Sequence, residues 1–323
     1  MKTFKHVNAK TTAEACTIME KYKGQAKLIA GGMDLVGSLK DEIMPDYPQM
    51  VVNIKTIPGL DYVREDAGVL KIGALTKLSD IASSDVLKKR YQSLQQAAHA
   101  VASPQIRNMA TIGGNLCQNV RCWYYRSPNS LGGRVFCLRK GGDTCYAQNG
   151  DNRYHAILKG GPCFAVYPSD TAVALTALKA KIVTARPRGG RTIPIGKLYT
   201  QTGTILESDE MVKGIEIPKP KEGAQEKFIK FRLRSALDFA IVSVATVLVK
   251  EGEVCKEATI ALGGVAPVPL RATKAEELIK GKPVNQEIVE RVALTALEDA
   301  EPLSMNAYKV EIAKTCIKRA FLT

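Results

Sequence analysis

Along the first 55 residues, apolar positions come in short runs divided by polar turns. Thr11 with Glu14 three positions on forms a capping pair, and the spacing behind it predicts a helix through Tyr22. AKLIAGG (26–32) reads as a short strand closed by two glycines. DLVGSLKD follows as a helix with Asp34 near its N-terminus, and MVVNIK (50–55) as a strand of the buried type. These elements predict a compact α/β unit over residues 1–55.

A second unit, residues 56–220, opens near Ile57-Pro58-Gly59. GVLKIGAL (68–75) reads as a strand, LSDIASSDVLKKRY as helical, and SLQQAAHAVAS (93–103) as an amphipathic helix ended by Pro104. Periodicity then fails over about 117–165, where Gly, Arg, Asn and Ser dominate. It returns in DTAVALTALKAKIVTA (170–185), a helix running into a strand. Turn signals interrupting an ordered unit mark an inserted functional loop. IEIPKPKEGAQEKF (215–228) carries two prolines and mixed charge and reads as a linker. The third unit, 226–323, has strands at FIKFRLR, IVSVATVLVK and EATIALGGV. Helices follow near ATKAEELIK, NQEIVERVALTALEDA and NAYKVEIAKTCIKRAF. Strands followed by helices predict an α+β unit with its sheet covered on one face.

A length of 323 residues exceeds one small core, and 45% hydrophobic with 24% charged residues is an ordinary globular composition. No apolar run of about 18 residues occurs. The start, MKTFKHVNAKTTAEAC, lacks an apolar signal region. The chain is therefore read as cytoplasmic, where thiols stay reduced and clustered cysteines suggest ligands or catalysis. The net charge of +14 would attract nucleic acid, a diphosphate or an acidic protein. The basic residues are dispersed and aromatics reach only 6%, so nucleic-acid binding has a weak case.

Five of the eight cysteines (Cys117, Cys122, Cys137, Cys145 and Cys163) fall within 47 residues, spaced C-x4-C-x14-C-x7-C-x17-C. Structural zinc sites use closer pairs, whereas iron–sulfur clusters tolerate wider spacing. Cluster, zinc staple and unligated thiols all remain open on spacing. LIAGGMD (28–34) and TIGGN (111–115) each end an apolar run with Gly-Gly, which is either a tight turn or a backbone cradle for an anion. His99 reads as a packing residue, and His155 as a donor behind the thiols. No GxSxG elbow or nicotinamide fingerprint is present.

LIAGGMDLV, IGALTKLSDI, QIRNMATIGGNL, YPSDTAVAL and PLRATKAEELIKG, in this order, resemble the flavin-binding medium subunit of molybdenum hydroxylases, the xanthine dehydrogenase and carbon monoxide dehydrogenase family. The resemblance spans essentially the whole chain. It implies a two-lobed FAD-binding fold of the vanillyl-alcohol-oxidase type, followed by a C-terminal α+β domain. It further implies that Leu28, Ile29, Ala30, Gly31, Gly32, Met33, Asp34 and Leu35 wrap the FAD. Ala110, Thr111, Gly113, Gly114 and Asn115 would form a second cofactor loop, with Asp170 hydrogen-bonding the flavin or its ribityl chain. Met33 stands where the family often has Thr or Ser. The insertion resembles that of the 4-hydroxybenzoyl-CoA reductase flavin subunit, which carries an extra [4Fe–4S] cluster. On that resemblance Cys122, Cys137, Cys145 and Cys163 are the ligands and Cys117 a buried core thiol. The implied role is electron transfer, with a [2Fe–2S] subunit and a molybdopterin subunit as partners, and with ferredoxin or NAD outside the complex. The basic residues from Arg121 to Lys140 would suit an acidic ferredoxin. Trp123, Tyr124 and Tyr125 would either cover the cluster or pack the insertion. A zinc-stapled scaffold and a nucleic-acid-binding protein are the alternatives.

Overall fold

The computed structural model describes residues 1–129 and 135–322. In the first unit, strands Lys5–Asn8 and Ala26–Ile29 flank Met50–Asn53, both pairing parallel to it. The Thr12–Tyr22 helix is capped by Thr11, which accepts from Glu14 N at 3.0 Å. Glu14 reaches back to accept from Lys10 N, just before the cap, at 2.7 Å, so the chain entry and one free N–H of the helix start are both held.

The second unit is built on a five-stranded antiparallel sheet. Its order is Val63–Asp66, Val69–Gly73, Met211–Pro218, Lys181–Ala185, Thr192–Pro194. The chain thus returns at 211–218 to fill the middle of the sheet. This corrects the expected linker at 215–228. Ile215 and Ile217 are buried in a central strand, Pro218 closes it, and only 219–224 connect to the next strand. Pro104 is corrected too. The helix it was expected to end runs over Gln92–His99, and Pro104 opens the next helix, Pro104–Met109, behind the Ser103 cap. Proline suits a first helical position because its missing N–H would be unbonded there anyway.

The third unit is a four-stranded antiparallel sheet of Gln225–Phe231, Val242–Glu251, Val254–Gly263 and Leu270–Arg271. Helices Thr273–Ile279, Gln286–Thr295 and Tyr308–Leu322 bury one face around Val244, Ile260 and Leu262. The other face is covered as well, contrary to expectation. Phe228, Ala245 and Ala261 join the core of the second unit, against helices Gln92–His99 and Asp170–Ala177. Every residue of Asp170–Ala177 is buried, its polar side chains Asp170, Thr171 and Thr176 all hydrogen-bonded within the protein. It therefore fastens the third unit to the second and carries Asp170 to their junction.

Candidate functional site

A cleft of about 800 Å3 lies where the three units meet, at the upper end of ligand pockets. Residues 28–35 form one wall and Ala110, Thr111, Gly114 and Asn115 another. Asp170 lies at the back, and Lys230, Asp238 and Phe239 contribute from the third unit. Of the residues expected to hold a cofactor, only Gly113 is not on the cleft surface; it is buried behind it.

The first wall is a loop between strand Ala26–Ile29 and helix Leu35–Lys40. A Cβ on Gly31 would overlap the Met109 carbonyl, so glycine is what lets the two walls approach. Gly32 has φ of 74°, in the left-handed region. Among the described residues, the N–H groups of Gly31, Gly32, Met33 and Asp34 find no protein acceptor. Unbonded amides at a cleft suit an anion such as a diphosphate. Asp34 fixes the loop from behind. Its carboxylate accepts from Arg121 Nη1 and Arg126 Nη2, each at 2.6 Å, and from Asn119 N at 2.9 Å. Burial would raise the Asp34 carboxyl, but the two guanidiniums and the Asn119 N–H outweigh it and hold it below its ordinary value.

The second wall is built differently. Thr111 caps the one-turn helix Ile112–Leu116, accepting from Gly114 N at 3.2 Å. Ile112 N and Gly113 N bond to Thr76 O and Ala74 O, and Asn115 N to Thr111 O. The amides expected to face an anion here are already spent within the protein. Asn115 Oδ1 accepts from Ser169 Oγ at 2.6 Å and Thr171 Oγ1 at 2.7 Å, tying this wall to the start of the Asp170 helix. Asp170 is buried and pairs with Lys230 Nζ at 2.7 Å. Burial raises its carboxyl above the ordinary value against the pull of Lys230.

Cys122, Cys137, Cys145 and Cys163 all line one small cavity of about 10 Å3, together with Tyr124, Tyr125 and Arg139. Cys137 and Cys163 are buried, the other two half-buried. The Cys163 thiol is pulled down chiefly by its neighbour Cys145, while Cys145 is itself pushed up. Burial pushes Cys122 up to about 11. Arg139 Nε is buried beside this cavity without a hydrogen-bond acceptor of its own, and the Arg139 guanidinium helps to pull the Cys163 thiol down. Among the described residues no three His, Cys, Asp or Glu side chains converge on a point where they could hold a single metal ion. Four cysteines on one cavity are the donor set that a polynuclear cluster would require. Trp123 packs edge-on to Tyr124, Tyr154 and His155, while Tyr125 is buried and lines the sulfur cavity.

Two sequence readings fail here. Cys117 is no core thiol, because its surface opens onto the cofactor cleft. Protein crowding on its other sides still pushes its thiol up to about 12. The basic stretch from Arg121 to Lys140 is not an open docking face among the described residues. Arg121 and Arg126 bind Asp34, and Arg139 donates to Gln201 O and Thr202 O. Lys140 is buried and donates to Ser127 O. Arg134 lies outside the described residues. Conversely, Lys230 and Phe239 were missed as cleft residues, although the first lies in the expected strand FIKFRLR. Arg121 stacks over Phe239, 4.8 Å from the ring centre.

A second cavity of about 480 Å3 shares lining residues with both the cleft and the cysteine cavity. Arg121, Asp170 and Phe239 border both spaces, and Cys122 and His155 form its far end.

Residues 2–220 match the model of the FAD-binding domain in molybdopterin dehydrogenase, and residues 227–323 that of the CO dehydrogenase flavoprotein C-terminal domain. The aldehyde oxidoreductase FAD-binding subunit PaoB of Escherichia coli is 34% identical over 97% of this chain and 96% of its own. The carbon monoxide dehydrogenase medium chain of Hydrogenophaga pseudoflava is 28% identical over 98% of this chain and 95% of its own. A solved structure of the carbon monoxide dehydrogenase of that organism, lacking the Mo-pyranopterin moiety of its cofactor, superposes with a TM-score of 0.79. It covers 99% of this chain and 96% of that one, at 28% identity. No helix among the described residues is long and apolar enough to cross a membrane.

Proposed function

This chain belongs to the FAD-binding family of molybdopterin dehydrogenases, as the FAD subunit of an oxidoreductase, and from that premise we propose how it carries electrons. Residues 1–55 and 56–220 act as the two lobes that hold FAD, and 226–323 as the domain that closes the cleft. Bound FAD supplies a centre that exchanges electrons in pairs or singly. The free amides of Gly31 to Asp34 hold its diphosphate, with Leu28, Ile29, Ala30 and Leu35 completing that wall. Ala110, Thr111, Gly114 and Asn115 form the opposite wall, and Gly113 lets it pack tightly. Asp170, held by Lys230, orients the flavin end.

The insertion at about 117–165 makes this chain resemble the 4-hydroxybenzoyl-CoA reductase type within the family. Cys122, Cys137, Cys145 and Cys163 ligate a [4Fe–4S] cluster. The four thiols lining one cavity beside the Arg139 guanidinium carry that reading. The second cavity, with Asp170 at one end and Cys122 at the other, suits electron passage between the two centres. The subunit then works with a [2Fe–2S] chain and a molybdopterin chain, and exchanges electrons with ferredoxin or NAD. The medium-chain name of the Hydrogenophaga relative supports partners of this kind.

Anaerobically purified protein should show flavin bands over broad iron–sulfur absorption. Cys137→Ser should lose about four irons per chain and keep its FAD. Zinc without iron, or unchanged iron in that variant, would sink the cluster reading while leaving the flavin reading intact.

A further inference from the structure

We propose that His155 is a positioning residue for the cysteine site: its Nε2–H donates to Cys122 Sγ and eases reduction of the cluster held there, and the C-terminal unit holds that donor in place. This rests on the cluster reading above.

His155 Nε2 lies 3.2 Å from Cys122 Sγ. The other ring nitrogen, Nδ1, is buried and has no partner. A neutral ring carries one N–H, and a thiolate that ligates iron carries no hydrogen of its own, so the 3.2 Å contact is a hydrogen bond only with that proton on Nε2. A charged ring carries a proton on both nitrogens. In either state Nε2 presents a hydrogen to the sulfur. The ring cannot easily turn away, because Trp123 sits 5.5 Å from it edge-on and Tyr124 6.1 Å on another side.

The backbone is fixed from far along the chain. His155 O accepts from Lys309 Nζ at 2.8 Å and Asn306 Nδ2 at 3.2 Å, and both donors are fully buried. Asn306 also donates to Asn152 O and Ala156 O, while Met305 N donates to Asn152 Oδ1 at 2.9 Å. The start of the last helix thus clamps residues 152–156 of the insertion. A ligand held rigidly by a buried polar network is oriented in the way metal-site ligands commonly are.

An N–H···S bond strengthens as the sulfur gains negative charge, so it favours the reduced state of a thiolate-bound cluster. His155→Phe fills the same space without the donor, whereas His155→Gln returns an amide donor. Redox titration of the anaerobically purified full chain, followed by electron paramagnetic resonance, should show reduction about tenfold less favourable in His155→Phe. For one electron that is a midpoint about 59 mV more negative. His155→Gln should move back toward the wild type. An unchanged midpoint in His155→Phe with iron and FAD at wild-type content would overturn the inference and leave the cluster reading standing. If His155→Phe does not fold, the wild type labelled with 15N-histidine decides. Nitrogen coupling to the reduced cluster supports the donor, and its absence overturns it. A wild type free of iron and acid-labile sulfide overturns both readings.

Discussion

In LIAGGMD the glycine pair leaves four successive amides unbonded on the cleft wall, whereas in TIGGN the pair sits inside a capped turn whose amides are already bonded. Each pair does contain one glycine that lets walls meet. A Cβ on Gly31 would strike the Met109 carbonyl, and one on Gly113 would come 2.9 Å from Ala74. The second glycines part company. Gly32 needs its positive φ, whereas Gly114 has no such demand and meets only Thr111 Oγ1 at 3.1 Å. Two similar-looking motifs thus differ, one presenting free amides of the kind that suit an anion and the other forming a rigid wall.

The largest test of that difference is Gly31→Val. Its side chain must displace backbone rather than a flexible neighbour, so we expect loss of FAD and destabilisation above about 2 kcal/mol. Flavin absorbance and thermal unfolding measure both, and a stable, yellow variant would refute the close approach of the two walls. Asp34→Asn comes next. It leaves Arg121 and Arg126 facing each other with little exposure and no counter-charge, at a cost of roughly 2–4 kcal/mol. The Asp34 carboxyl also sets a pH dependence. Its folded value lies below the ordinary 3.8, so its stabilisation is whole above the unfolded value and disappears as pH falls through the depressed folded value. Acid should therefore release FAD from the wild type over that window, and Asp34→Asn should lose this step.

Gly32→Ala should cost about 1–2 kcal/mol, since alanine is forced into the left-handed region. It should also weaken FAD retention more than its stability loss alone explains. Thr111→Val removes only a cap, at about 1 kcal/mol, and should leave FAD binding near wild type. Calorimetric titration of the apoprotein separates the two. Equal loss of affinity in both variants would erase the distinction between cradle and wall.

Much of this was legible beforehand. Thr11 and Glu14 marked their helix because capping is local. LIAGG and TIGGN marked the cleft because only glycine permits such close backbone approach. Cys122, Cys137, Cys145 and Cys163 were singled out before any distance was known, and the fold brings them to one cavity. The readings that failed share a cause. IEIP looked like a linker because its prolines are visible in the chain, while the neighbours that make it a central strand come from residues 69–73 and 181–185. Cys117 was expected in the core on the resemblance alone, yet the turn that carries it ends at the cleft wall.

Sequence by itself determined what local chemistry dictates: caps, glycine turns, the order of strands and helices, and the stock of thiols and charges. Tertiary structure alone decided what each charge faces. Arg121 and Arg126 turn inward to Asp34, 87 and 92 residues back, and Lys309 reaches the carbonyl of His155 across more than 150. A charged side chain shows in the sequence that it needs a partner, but the partner is set by how distant strands and helices pack, and no local pattern encodes that.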